Sequence, residues 1–432
     1  MITAPYNFVP LSDKVVMPFW ANHVSHDIPF QDAQSGTLHV KITAKSPIYV
    51  RNGMPRNAKE DDQHRNDFNN MNGDCFIPGS SLKGMIRSMV EIMSFGRMKN
   101  KVNDHKYSVR DFQNNKIYNK TEISNKADCG WLYKKGDTFY LDDCGKAGRI
   151  SHKNLDVLCG GQKISDYYKR AENVARDSQK SAKAKYELFD FIKTGHHFSK
   201  DREDMGRVIY KIDENEGKKG TIVMSGQSSV RNEPKEGKAS GKHLEFVFFQ
   251  AKKEGVEVPE EIINNFFFAY YDHDKNQQKE DWKWRKKQLE AGEKIPVFFR
   301  KKNDGSIKDM GLTLLYKITY DNSVVDLINH QQKDSSGYDL AETIFGYAED
   351  KRALKGRVHF GHAFVSHQVK TLPLELQVLA GPKASYYPNY IEQDADENGK
   401  LKNDYKTYMD NNTTIRGWKR YPVRNNGTTS YP

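Results

Sequence analysis

The sequence predicts an α+β chain, and three stretches carry that expectation. Gly36-Thr37-Leu38-His39-Val40-Lys41-Ile42-Thr43-Ala44 alternates apolar and polar residues with the period of a half-buried strand. From Phe76 to Arg87 a strand end, a tight turn and a helix start follow one another, and Leu82, Met85, Ile86, Met89, Val90 and Met93 then recur at helical spacing. Farther on, Ile295 to Phe299 and Ile307 to Tyr316 flank Asn303-Asp304-Gly305, a hairpin signal. At 432 residues the chain has room for two or three domains or one elaborated domain.

Taken in order, Ala4 to Leu11 and Ser25 to Phe30 are punctuated by prolines and predict an extended arm rather than regular structure. The strand at Gly36 to Ala44 turns out through Ser46-Pro47-Ile48-Tyr49-Val50-Arg51-Asn52-Gly53. Met54 to Asn72 is polar, with Asp61, Asp62, His64, Arg65 and Asp67, and predicts a loop. Pro78 keeps Ile77 extended, Gly79 admits an unusual turn, and Ser80 or Ser81 is suited to cap the helix, whose apolar face is expected to be buried. Lys83 and Arg87 share the other face, on a first turn whose dipole disfavours cations. A bound anion would remove that conflict.

Trp131-Leu132-Tyr133 and Thr138-Phe139-Tyr140-Leu141 flank Gly136-Asp137 and predict a hairpin-rich insertion, whereas Tyr167 to Tyr186 is dense in charge and reads as an exposed helix or a flexible segment. An apolar strand follows at Lys242 to Phe249. Pro259-Glu260-Glu261 opens a helix with Ile262, Ile263, Phe266, Phe267 and Tyr270 on one side, and its charged continuation carries Trp282 and Trp284. Asp339 to Gly346 reads as a helix ending at glycine, with a strand at Lys355 to Phe360. Thr371 to Leu379 alternates, and Gly381 to Pro388 forms an irregular aromatic loop. Near the end, Ile415-Arg416-Gly417-Trp418-Lys419-Arg420-Tyr421 combines cation, glycine and aromatic as a contact to a single strand would.

Sixty-eight Lys and Arg against 57 Asp and Glu give a net charge of +11, which fits a polyanionic partner such as nucleic acid. The 23 Tyr and 22 Phe supply faces for stacking, most of them destined for the core. Cys75, Cys129, Cys144 and Cys159 form no CxxC pair; the spacing of the last three, with His152 nearby, falls short of a zinc module, and no disulfide framework is indicated. No signal-peptide pattern precedes Trp20 and no apolar run is long enough to span a membrane, so a cytoplasmic protein without a membrane partner is expected.

Pro78-Gly79-Ser80-Ser81-Leu82-Lys83-Gly84 with Arg87 resembles the signature of the RAMP superfamily, the repeat-associated proteins of CRISPR systems. Asp339 to Gly346, with its Phe345-Gly346 turn, and the Arg357-led segment after it have the same look. The resemblance covers roughly the first hundred residues and the last hundred and twenty or so. A clear Gly-rich loop near the C-terminus is missing. It implies a ferredoxin-like (RRM-like) antiparallel sheet with helices on one face and a large insertion. The domains are then 1–125, the first part with the signature helix; 126–244, the insertion; and 245–432, the second part with a basic end.

The implied function is that of a guide-RNA (crRNA) binding backbone subunit of a type III-like CRISPR effector in antiviral defence, with guide RNA, target RNA and other effector subunits as partners. RNA contacts fall on Arg51, Gly53, Ser80, Ser81, Lys83, Arg87, Arg357, Arg416, Trp418, Lys419 and Arg420. Backbone subunits of this kind carry an RNA-cleaving aspartate between the first strand and the signature helix, and Asp61 or Asp62 is nearest the expected offset. A metal-dependent endoribonuclease with Mg²⁺ or Mn²⁺ would follow. Two alternatives stay open: a stand-alone guide-processing endoribonuclease using His23, His26 or His64 as general base without metal, and a non-catalytic RNA-binding assembly protein.

Overall fold

Asn303-Asp304-Gly305 does fold as a turn. Gly305 takes a positive φ of 84° and donates its N–H to Lys302 O at 3.0 Å, which joins antiparallel strands Ile295–Lys301 and Ile307–Gly311. That hairpin belongs to the second of two compact units, His105–Tyr320; the first combines Met1–Asp104 with Asp321–Pro432. The units divide at 104/105 and 320/321, where the sequence suggested 125/126 and 244/245. The computed structural model describes residues 6–52, 67–98, 101–102, 104–160, 162–164, 182–204, 206–225, 244–270, 280–333, 336–349, 351–365, 369–370, 383–397 and 400–421. The chain is a mixed α and β protein with antiparallel sheets and several helices.

Two sheets build the unit His105–Tyr320. One has five antiparallel strands in the order Lys253–Glu257, Thr138–Gly145, Asp128–Lys135, Ile295–Lys301, Ile307–Gly311. The expected hairpin around Gly136 supplies its centre. Helices Glu260–Tyr270 and Glu280–Glu290 share an apolar core with this sheet, where Ile262, Ile263, Phe266 and Trp282 meet Leu132, Leu141, Val297 and Phe299. Burying each such side chain contributes about 1.5–3 kcal/mol. Phe298 points the other way, onto Phe246 and Phe248 at ring separations of 4.7 and 5.4 Å.

Those rings belong to Leu244–Phe249, a strand of a closed five-stranded barrel with Lys218–Val223, Gly148–Ser151, Arg207–Ile212 and Gly195–Asp204. The charged composition after Tyr186 hides this barrel, because its strands alternate around few but large interior residues such as Phe198 and Ile222. Residues 165–181, which take in three-quarters of the charged stretch Tyr167 to Tyr186, lie outside the described residues; helix Ala182–Leu188 follows them. Its Lys185 is fully buried and donates to Glu245 Oε1 (2.7 Å) and Ser225 O (2.9 Å), so the charge is matched by the strand it packs on.

In the other unit, strand Asp74–Ile77 is paired on one side with Asn70–Met71 and on the other with Ala363–Phe364, and it leads into helix Gly79–Met93. Asn7–Val9 pairs antiparallel with Trp418–Arg420, so part of the predicted proline-bounded arm is a strand. Two expected strands do not form. Gly36–Ala44 has no ladder, and Leu38 and Val40 are 91% and 78% exposed. Alternation prepares a face, but a strand also needs a free edge beside it. Lys355 to Phe360 is irregular, held instead by Arg357 N–H to Ile344 O at 3.0 Å. The alternating stretch Thr371 to Leu379 lies outside the described residues.

The signature helix also turns over relative to expectation. Met85, Ile86 and Met93 are exposed, whereas Lys83 and Arg87 are half-buried and Glu91 is buried. Ion pairing decides this. Arg87 Nε bonds Glu91 Oε1 at 3.0 Å, Lys101 lies 3.5 Å from both Glu91 and Asp339, and Arg97 beside them is sealed from water, so the charged side must face the unit.

Candidate nucleic-acid interface

The first turn of the signature helix is the element around which charged and aromatic groups gather. The helix begins at Gly79 with Pro78 as N-cap residue; Ser81 and Leu82 both donate to Pro78 O, at 3.0 and 3.1 Å. Ser80 and Ser81 are therefore not caps but exposed members of the first turn. Pro78 has no side-chain acceptor, and the Gly79 N–H donates to His362 Nδ1 at 3.2 Å. A histidine from 283 residues away in sequence thus meets one of the helix's orphan donors. Glycine is required at 79, because a Cβ there would sit on the Phe360 carbonyl oxygen.

The segment that supplies His362 also carries basic groups to this turn. Helix Leu340–Phe345 is capped by Asp339 in a capping box with Glu342 and ends at Gly346, whose φ of 86° and close approach to Leu354 O both exclude a side chain. Arg357 Nε donates to Thr343 O at 2.9 Å, turning a guanidinium edge toward the carbonyl end of that helix. A Cβ at Gly356 would lie 3.0 Å from Lys83 Nζ, so Lys83 runs alongside this loop. His26 Nε2–H donates to Lys355 O at 2.7 Å. Phe76, His362 and Phe364 form a ring cluster with separations of 4.8 and 5.2 Å from Phe76, and Phe364 is 53% exposed. Exposed hydroxyls, cations and a bare aromatic face beside helical N–H groups are the chemistry that phosphates and unstacked bases use.

The predicted RNA contacts do not all converge here. Ser80, Ser81 and Lys83 do; Arg357 follows Gly356 in the loop beside Lys83 but is turned to Thr343 O, and Arg87 is turned to Glu91. Arg51 is exposed and pairs through its backbone with Phe68. Around it, Asn52 N–H donates to Asp67 O (3.0 Å), Asn69 N–H to Val50 O (2.7 Å) and Phe76 N–H to Asn69 O (3.1 Å). These bonds tie both ends of the acidic stretch to the strand that feeds the helix. Gly53, Asp61, Asp62 and His64 themselves lie outside the described residues, and among the described residues no His, Cys, Asp and Glu side chains gather to hold a metal ion.

In the C-terminal group, aromatic faces already carry cations from the chain itself. Lys101 Nζ lies 5.1 Å from the Trp418 ring and Lys419 Nζ 4.4 Å from Tyr421, while Arg420 stands opposite Asn7 in the ladder. Arg416 Nη1 donates to Asn389 Oδ1 at 2.6 Å. Sequence reasoning missed His362, Lys355 and Phe364, since nothing local marks a residue that becomes a cap only through a distant partner. It also missed the ion-pair network at the end of the helix. There Arg97 donates to both Glu342 oxygens (Nε to Oε2 2.9 Å, Nη2 to Oε1 3.0 Å), and Asp339 Oδ2 accepts from Arg97 N–H at 3.0 Å.

Fold and site together define a mixed α and β protein with a cationic, aromatic surface at the start of one helix. The chain belongs to the RAMP superfamily, whose family model matches residues 41–291, more than half of it. That membership is consistent with a CRISPR-associated RNA-binding protein. The matched span takes in the centre that the sequence resemblance did not cover, and it stops before Phe345-Gly346 and Arg357. No curated protein is significantly similar to the chain. Among the described residues no helix is long and apolar enough to cross a membrane.

Proposed function

We propose that this chain is a guide-RNA-binding backbone subunit of a type III-like CRISPR ribonucleoprotein effector that acts in antiviral defence in the cytoplasm. The observation that carries the reading is that Ser80, Ser81 and Lys83 stand on the first turn of the signature helix, with Gly356 of the Arg357-bearing loop beside Lys83 and the exposed Phe364 paired with the strand that leads into that helix. In this reading the guide backbone lies along that turn. Arg51 and Gly53 meet it at the neck of the acidic loop, and Arg87, Arg416, Trp418, Lys419 and Arg420 extend the path. Target RNA pairs with the guide, and other effector subunits flank the chain. In this reading the strand before the helix, the helix and the segment at 363–364 belong to a ferredoxin-like sheet.

Cleavage of target RNA is assigned to Asp61 or Asp62. An Mg²⁺ or Mn²⁺ ion held there would supply charge to the scissile phosphate, and no described carboxylate cluster offers it another seat. Replacing Lys83 and Arg357 together by Ala should lower guide-RNA retention and reduce the salt slope by roughly 0.7 per lost phosphate contact, as expected for a single strand. Asp61→Asn with Asp62→Asn should stop cutting and spare retention. Filter binding across a salt series, with cleavage scored on the same complexes, separates the two. An unchanged slope in the Lys83/Arg357 variant would sink the proposed path.

A further inference from the structure

The barrel of the unit His105–Tyr320 has one parallel pair of strands, Gly148–Ser151 beside Arg207–Ile212; its other neighbours are antiparallel. Going round from Gly148–Ser151, the strands are Arg207–Ile212, Gly195–Asp204, Lys218–Val223 and Leu244–Phe249, which returns to the start. Helix Ala182–Leu188 lies in the link between Gly148–Ser151 and Gly195–Asp204, and Phe189 and Ile192 just after it pack in the barrel core. This is the connectivity of an oligonucleotide- or oligosaccharide-binding barrel entered at its third strand: third and fifth strands parallel, a helix between third and fourth, and the first two strands moved to the end. Barrels of that kind take ligands on the face of their second and third strands and on the loop between fourth and fifth. Here these are Leu244–Phe249, Gly148–Ser151 and the turn between Asp204 and Arg207. Connectivity alone assigns no ligand, so the side chains on that face must decide.

One row of ladder partners crosses the face: Phe246, Arg149, Ile209 and Arg202 are successive neighbours. Arg207, two residues before Ile209, lies on the same side. Exposure rises along the row. Phe246 is buried against Phe298, Arg149 is half-buried with its guanidinium 4.1 Å from the Phe246 ring centroid, and Arg202 and Arg207 are exposed. Among the described residues the guanidinium groups of Arg149 and Arg207 have no hydrogen-bond or ion-pair partner. The nearby carboxylates are engaged elsewhere or stand apart: Glu245 accepts from Lys185 Nζ (2.7 Å) and Ser225 N–H (3.2 Å), Asp201 accepts from Arg202 (2.9 Å), and Asp204, opposite Arg207 in the ladder, forms no ion pair with it. Burial holds the Arg149 guanidinium down to about 10, and Arg207 beside it pushes the same way. A half-buried cation that repels its neighbour is a standing cost, and an anion between the two would remove it. Of the two ligand classes such barrels take, a neutral sugar chain would leave that repulsion in place. A nucleic acid strand brings phosphates for the guanidinium edges and bases for their planes.

We propose that this face of the barrel is a second nucleic-acid site, binding a single strand with Arg149 and Arg207 sharing one phosphate and Arg202 next along the strand. It belongs to a different unit from the turn proposed for the guide and does not depend on that reading. The test uses the full chain, freed of RNA and carrying Lys83→Ala with Arg357→Ala so that the guide path is silent in every arm. Anisotropy of short labelled oligo(U) and oligo(dU) is followed across a salt series. Arg207→Gln should weaken binding about tenfold, as for one charge-assisted hydrogen bond, and lower the salt slope by roughly 0.7. Adding Arg149→Gln should about double the loss of slope. Without ligand, Arg207→Gln should leave the unfolding temperature unchanged or raised, since it removes a repulsion. Preference for oligo(U) would assign the site to RNA through the 2′-hydroxyl, and equal affinity to single strands of either kind. Unchanged affinity and slope in the Arg207 variant overturn the proposal. So does displacement of oligo(U) by inorganic phosphate at equal phosphate concentration, or weaker binding accompanied by a lower unfolding temperature, which would make Arg207 a residue of the fold. With the guide path silent throughout, the result stands whether or not that path carries the guide.

Discussion

Arg97 is 2% exposed and held by both oxygens of Glu342, with its N–H on Asp339 and its guanidinium 5.5 Å from the Tyr338 ring. A buried ion pair adds little to stability over an apolar pair of the same shape, yet breaking it by half is costly, because the remaining charge stays in a dry site. Arg97→Met should cost roughly 3–5 kcal/mol in urea unfolding for that reason. Adding Glu342→Gln removes the stranded charge while keeping an acceptor for the Asp339 N–H, so the double variant should recover most of the loss. A double variant no more stable than Arg97→Met would show that packing, not charge pairing, fastens the helix end.

At the scale of elements, two tyrosines staple the five-stranded sheet to its surroundings. Tyr118 OH donates to Tyr316 O at 2.5 Å, and Tyr270 OH accepts from Leu312 N–H at 2.8 Å, fixing helix Glu260–Tyr270 to the chain leaving strand Ile307–Gly311. Burial pushes both phenols up to about 12, against the pull of Arg110. The sign follows from linkage. A folded-state pKa above the unfolded value near 10 gives stability that is complete below pH 10 and lost as pH climbs toward 12. The unfolding temperature should therefore fall over that window, and fall less steeply with Tyr118→Phe and Tyr270→Phe together. Equal alkaline loss in both proteins would place the titration elsewhere, among the lysines.

For the whole molecule, the way the unit His105–Tyr320 is closed matters most. Ser108–Val109 pairs with Ile318–Thr319, and Tyr320 N–H donates to Tyr107 O at 2.9 Å, so its two ends leave side by side. It holds two apolar cores of its own, one under the five-stranded sheet and one in the barrel. Residues 105–320 expressed alone should fold and unfold cooperatively, with stability on the order of 5–15 kcal/mol. A fragment with helical and strand signal but no cooperative transition would mean that its cores need the rest of the chain.

Local chemistry was legible wherever it decided the outcome by itself. The turn at Gly305, the glycine stop at Gly346 and the helix opened by Pro259 follow from residues within a few positions of one another. Family membership was legible for the same reason, being carried by a contiguous signature. What needed the tertiary structure were the choices made between distant segments. The apolar stripe of Met85, Ile86 and Met93 looks destined for a core, but the buried charges of Arg97, Glu342 and Asp339 claim the helix for the opposite side. His362 becomes a helix cap and Gly36–Ala44 stays unladdered through the same kind of decision. Periodicity in a sequence says that a face exists; only the fold says whether a partner stands opposite it, because pairing energy belongs to two segments and neither one encodes it alone.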